Sequence, residues 1–342
     1  MYQKSKTTTY YQYKPKKWFC KHWSGIFLFF IGLFLLHVFL FADTFRGDII
    51  DSDKAAKYGD LVGGYIGSCF SLISIILLYV TLKDQRDNFL LEKFENKFFQ
   101  MIAHHEHTVT EIGFSDLHGK RIFVWMIREY RLIYRLLNYI IKKYNATLSD
   151  NEKQISQNPK TLMALSYTIF FFGIGRNSSR ILKSYLQKDF LLSDNFIDII
   201  FNILENTQLK FKRQLCLPFT PFEGHQSRLG DYYRYLFQIV KFVDLCKLDV
   251  DKYDYIKIIR AQLSNHEQAL LLINSFSSLG NDWWDKNNYI TTYKFVCNIP
   301  KDFFNPKKEI DVLTLFPVGY FEFCEKSPTS SQIRGIAYSK PI

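Results

Sequence analysis

Residues 61–82 read LVGGYIGSCFSLISIILLYVTL, twenty-two residues without a charge, and the rest of the chain is read around them. At a rise of about 1.5 Å per residue such a helix reaches about 33 Å, enough for a hydrocarbon core of about 30 Å. Residues 25–42, GIFLFFIGLFLLHVFLFA, form a shorter apolar run whose one titratable side chain is His37. Two such runs close together predict a transmembrane helical hairpin over residues 25–82. The connector at 43–60 holds five acidic and three basic residues. Residues 1–24 hold Lys4, Lys6, Lys14, Lys16, Lys17 and Lys21 and no acid. Lysine beside a span marks its cytoplasmic flank, so both termini are expected on that side of a multi-pass protein. A cleaved signal peptide fits less well, because the run is longer than a signal core and no A-x-A pattern follows it.

The second span has a row of small residues. Gly63, Gly67 and Ser71 recur every four positions, with Gly64 and Ser68 in a parallel row. Such rows let helix backbones approach closely in lipid. They are expected to pack against the first span or against a second copy of the chain.

The charge of the 342-residue chain is +11, of which the first 24 residues supply +6. The remainder is too weakly basic overall to argue for nucleic acid as a direct ligand. Cys20, Cys69, Cys216, Cys246, Cys297 and Cys324 show no C-x-x-C or zinc spacing and are expected to be buried, reduced thiols.

Beyond residue 82 the pattern is helical. Phe94, Phe98, Met101 and Ile102 form a stripe in a charged continuation of the second span. Residues 113–119 break it, 121–143 predict a long helix, and 145–160 predict a polar loop. The run SYTIFFFGI at 166–174 is too short to span and predicts a buried helix. Ser193 and Asp194 mark another helix start. After Asn298 prolines interrupt the pattern, and DVLTLF (311–316) and GYFEF (319–323) are candidate short strands. The expected fold is therefore mainly α: a basic segment 1–24, a hairpin 25–82 with spans 25–42 and 61–82, a helical domain 83–297 and an extension 298–342.

Two polar constellations stand out. On a helix over 223–240, His225, Arg228, Leu229, Tyr232, Leu236 and Ile239 share a face. On a helix over 260–279, Arg260, Ser264, Glu267 and Asn274 form a row, flanked by leucines, in which Arg260 and Glu267 are the natural ion pair. A structural clamp between two helices is the reading preferred over a ligand or catalytic centre.

These residues carry a resemblance. FEGHQSRLGDYYRYLFQIVKFVD (222–244), YDYIKIIRAQLSNHEQALLLINSFSSLG (253–280) and FFQMIAHH (98–105) resemble phage abortive infection proteins of the AbiC-like family, over roughly residues 90–290. The two-span N-terminus is similar to the two-transmembrane effectors of retron defence systems. The resemblance implies a bacterial inner-membrane effector of antiviral defence whose trigger is a phage component or a partner such as a retron complex. It carries over no catalytic residue and implies no cofactor.

Three readings follow. In the preferred one the protein is not an enzyme: the helical domain senses the trigger, and the hairpins assemble as a homo-oligomer and perturb the membrane. In the second, Arg260 and His266 satisfy the loose R-x(4–6)-H spacing of HEPN ribonucleases, Arg holding a phosphate while His moves a proton. In the third the protein only recruits a toxic partner. His104, His105, His107 and His118 lack the carboxylate or cysteine spacing that would complete a metal site.

Overall fold

A computed structural model describes residues 51–114, 117–148, 155–285, 288–300, 303 and 315–322, with ten positions between Gly25 and Phe39. Those ten are helical. The rest of the first span, the basic segment 1–24, residues 43–50 and the C-terminal residues 323–342 lie outside the described residues, as do Cys20 and Cys324. The chain divides into two compact units, Met1–Glu92 and Lys93–Ile342. The boundary expected between residues 82 and 83 falls inside a continuous helix.

In the first unit, helix α1 (Ser52–Asp60) leads through a π-helical turn (Leu61–Ile66) into α2 (Gly67–Glu111). The apolar start of α2 is long enough to cross a membrane, and none of its 18-residue apolar window is buried. Leu72, Ile75, Ile76, Leu78, Tyr79 and Leu82 are each more than half exposed. The serines there are satisfied within the helix: Ser68, Ser71 and Ser74 donate to the carbonyls of Gly64, Gly67 and Phe70. Such back-bonding lets a hydroxyl sit in an apolar solvent. Among the described residues, a methyl group at Gly63 or Gly64 would meet nothing within 4 Å.

The second unit is helical. The C-terminal part of α2 buries Phe94, Phe98, Ile102, His105 and Val109, the expected stripe with Met101 at its margin. A two-residue antiparallel pair, β1 (Gly113–Phe114) with β2 (Leu117–His118), makes the break before α3 (Arg121–Asn145). Helix α4 (Pro159–Phe172) is the buried run foreseen from SYTIFFFGI; every residue from Leu162 to Phe172 is buried. Proline opens it, where its missing N–H costs nothing, and the Asn158 side chain caps it. Helices α5 (Ser179–Phe190), α6 (Asp194–Gln214, capped by Ser193), α7 (Gln226–Asp244) and α8 (Lys252–Gln262, capped by Asp251) follow. Helix α9 (Asn265–Phe276) is buried from Glu267 onward and packs on α3 and α4. A helix apolar all round belongs in a core, and α4 and α9 supply two. A 3₁₀ turn (Ser278–Trp283) and the short α10 (Tyr289–Thr292) complete the series.

Two expectations about the later chain are corrected. Among the described residues, 319–322 carry no strand; Phe316, Tyr320 and Phe321 are buried, so this segment is bound into the core by its aromatic rings. Residues 311–314 lie outside the described residues. The thiols also differ from expectation: Cys297 is buried, Cys246 partly so, and Cys69 and Cys216 are exposed.

Candidate functional site: buried polar clusters around two backbone crossings

The first cluster begins at Glu129, the one carboxylate of α3, fully buried on the apolar face of that helix. Its Oε1 accepts from the Phe222 N–H at 2.6 Å and its Oε2 lies 2.8 Å from His225 Nε2. His225 is buried at the N-cap of α7 between the rings of Phe114, Phe170 and Phe219. Its Nδ1 has no hydrogen-bond partner among the described residues, so Nε2 is the donor to Glu129. Arg228 lies 3.4 Å over the Phe114 ring and donates from Nε to the Gly113 carbonyl. Partial burial lowers its pKa, opposed by the charges of Glu223 and Glu129.

Backbone geometry builds this cluster. The end of α4 and the start of α7 run against each other: Ile174 N–H donates to Phe222 O at 2.7 Å, and His225 N–H to Phe171 O at 2.8 Å. The approach requires glycine on both sides. A Cβ at Gly173 would lie 2.2 Å from the Glu223 carbonyl carbon, and one at Gly224 would lie 2.1 Å from Phe172 O. Gly173, Gly224 and Phe222 all have positive φ. For a buried phenylalanine that backbone is strained, and the Glu129 and Ile174 hydrogen bonds hold it there.

The second cluster lies at the break between α8 and α9, where a continuous helix was expected. Ser264 is an N-cap, not an interior residue. Its hydroxyl accepts from Glu267 N–H at 3.3 Å, while Glu267 Oε2 accepts from Ser264 N–H at 2.8 Å. This capping box is written in the sequence as Ser264-x-x-Glu267, a local stop-and-start signal that outweighs the helical period of the flanking leucines. Glu267 Oε1 then accepts from the Tyr232 hydroxyl of α7 at 3.1 Å. Burial and the nearby Glu267 carboxylate push the Tyr232 pKa well above the ordinary phenol value.

Arg260 is therefore not the partner of Glu267. Its Nη1 donates to the carbonyls of Tyr293 and Lys294, and its Nη2 lies 3.6 Å from Glu322. His266 sits on α9, the other side of the helix break, 4.8 Å from the Phe303 ring. Partial burial and the charges of Arg131 and Arg128 lower its pKa. Asn274 stands apart as well, donating to the Tyr167 hydroxyl of α4 at 2.9 Å. The single row expected on one face thus divides into three structural roles: a cap, a clamp on the C-terminal segment and a link between α9 and α4.

The histidines scatter too. His104 meets the Tyr235 ring at 4.6 Å, and His107 lies 3.6 Å from Glu111. His105 is buried against Tyr232, with neither ring nitrogen bonded among the described residues. Burial, with Lys120 and His104 nearby, lowers its pKa to about 4. The unfolded chain then binds a proton near pH 6.5 that the folded chain refuses until about pH 4. Stability should be intact above pH 6.5 and fall through this window by about 3 kcal/mol. In His105→Leu the acid-side decline in melting temperature should shrink; an unchanged pH profile would remove His105 as its source.

Glu129, Tyr167 and Gln268 were not singled out from the sequence. Gln268 accepts from Asn298 N–H at 3.1 Å and donates to Leu263 O, so it fastens the chain after α10 to the helix break. Glu129 had a signal: a lone acid among Met126, Ile127, Tyr130 and Ile133 on a strongly apolar face.

His225, Arg228, Tyr232, Arg260, Ser264, Glu267 and Asn274 all fall within one stretch that can be compared with known families. Residues 224–304 match the family described as putative phage abortive infection protein. The abortive-infection resemblance holds over this segment. It opens at Gly224, where the two backbones cross, and runs through the capping box to the chain beyond Asn298. The matched segment is less than a third of the chain, and Glu129, Tyr167 and Gly173, which complete its polar contacts, lie outside it. No curated protein and no solved structure matches the chain.

Proposed function

We propose that the protein is a membrane-anchored effector of anti-phage defence. The exposed apolar start of α2 carries this reading, with the abortive-infection match behind it. An aqueous surface seldom presents so long an apolar helix, whereas lipid solvates it at no cost. In this reading the helical unit faces the cytoplasm and receives a phage-derived or partner-derived trigger, such as a retron-like complex. The spans then self-associate along Gly63, Gly67 and Ser71 and perturb the inner membrane. The buried polar clusters act as the frame of the sensing unit.

A periplasm-dependent reporter tests the topology. Fused near Asp51 it should be active, and fused after Lys83 or at Ile342 it should be silent. Activity at Ile342 would put the helical unit outside the cytoplasm and end this reading. On induction, a potential-sensitive dye should report depolarisation before any RNA is degraded. RNA loss first would instead favour the ribonuclease reading.

A further inference from the structure

The charge on α3 is strongly one-sided. Its only carboxylate, Glu129, is turned into the core and engaged by His225 and the Phe222 N–H. Arg121, Arg128, Arg135, Lys142 and Lys143 are all exposed, and Arg131 is partly so. Arg121, Arg128, Arg135 and Lys142 follow one another at intervals of seven. With Arg131 and Lys143 they fall within an arc of about 120° on the helix. From Arg121 to Lys142 the stripe runs about 32 Å along the axis. Aromatic rings are interleaved with the cations. Arg128 lies 4.5 Å over the Trp125 ring, Tyr139 is 64% exposed, and Arg131 lies 5.2 Å over Phe303. The charges of the same two arginines are felt at His266 of α9, where with partial burial they lower its pKa and favour the neutral ring.

We infer that this stripe is a docking surface for the phosphate backbone of a nucleic acid strand. A row of cations about 10 Å apart on a rigid helix matches a linear polyanion better than a single small anion. Arginine outnumbers lysine along it, and arginine's planar fork suits phosphate and stacks on rings and bases. The exposed Tyr139 adds a stacking face of the kind single strands use. A lipid surface is the weaker fit, because the apolar face of α3 is spent in the core and leaves no hydrophobic edge to insert. The low net charge of the chain beyond residue 24 hid this surface: charges of both signs cancel in the sum while one face keeps a single sign. The inference concerns the trigger class of the effector proposed above, but binding itself does not depend on membrane anchoring.

The test uses the full chain in detergent and a labelled 20-nucleotide single-stranded RNA, with affinity measured from 50 to 300 mM salt. Binding should weaken steeply with salt, the slope reporting the phosphates neutralised at about 0.7 per contact for a single strand. Arg121→Gln, Arg128→Gln and Lys142→Gln combined should lower affinity at least tenfold and flatten the slope by about 2, with the melting temperature unchanged. Lys188→Gln, Lys210→Gln and Lys247→Gln combined remove equal charge from other exposed positions and should change affinity less than threefold. Equal losses in the two triple variants, or no RNA binding by the parent, would overturn the inference. So would a parent that binds vesicles containing phosphatidylserine through the α3 stripe but not RNA.

Discussion

Glu129→Ala is expected to destabilise the helical unit by about 3–5 kcal/mol, because each buried donor left unsatisfied costs about 1–3 kcal/mol and the cavity adds to that. The carboxylate satisfies two buried donors at once, the Phe222 N–H and His225 Nε2. Truncation leaves both without an acceptor in a shell of phenylalanine rings and opens a cavity on the face of α3. It also frees Phe222 to leave its left-handed conformation, which loosens the crossing that places Gly224 and His225. For a unit of this size the loss corresponds to about 10 °C or more in melting temperature. Glu129→Gln separates the contributions. Its amide oxygen still accepts from Phe222 N–H, and its NH₂ is tolerated if His225 moves its proton to the unpartnered Nδ1. Glutamine should therefore cost clearly less than alanine, and His225→Ala should partly offset Glu129→Ala in a double-mutant cycle. Equal losses for alanine and glutamine would show that the charge itself, not the hydrogen-bond count, holds the site.

Gly224→Ala is the second large effect. The added methyl would sit 2.1 Å from Phe172 O and 2.9 Å from Gly173 N, both backbone atoms that cannot turn aside as a side chain would. Its φ of +92° adds strain of about 1–3 kcal/mol, and overpacking adds about 1–3 kcal/mol more. The contacts at stake are the Ile174–Phe222 and His225–Phe171 hydrogen bonds, so α4 and α7 should separate locally. Gly230→Ala is the matched control. That glycine is helical in α7, has no atom within 4 Å of a built Cβ, and should be neutral or gain up to about 1 kcal/mol. The two variants differ by six positions in one motif-bearing stretch. Similar melting temperatures for both would mean the crossing can slide apart without cost.

Much of the fold was legible because it rests on local signals. The stripe through Phe94 and Phe98, the long α3, the cap at Ser193 and the buried run of α4 each follow from periodicity or capping chemistry within a few residues. The site was less legible because its partners are distant. Glu129 and His225 are 96 positions apart, and Asn274 and Tyr167 are 107 apart. Arg260 illustrates the limit most clearly. Helical periodicity put it beside Glu267, but the capping box at Ser264 breaks that period and turns the arginine toward residues 293, 294 and 322. The C-terminal aromatics suggested strands by composition, yet a handful of rings can be bound into a helical core without any ladder.

The all-round burial of α4 has a consequence for how the chain is made. On the ribosome α4 emerges roughly 100 residues before α9, the helix that covers it, which at about 5–20 residues per second is a delay of about 5–20 s. During that interval LMALSYTIFFF (162–172) has no partner from α9 and is an exposed apolar run. The whole of α4, fourteen residues, is shorter than what a bilayer accepts as a span. The shortness that suits α4 to the core of the folded protein thus also keeps the waiting apolar run from being long enough to enter a bilayer as a span.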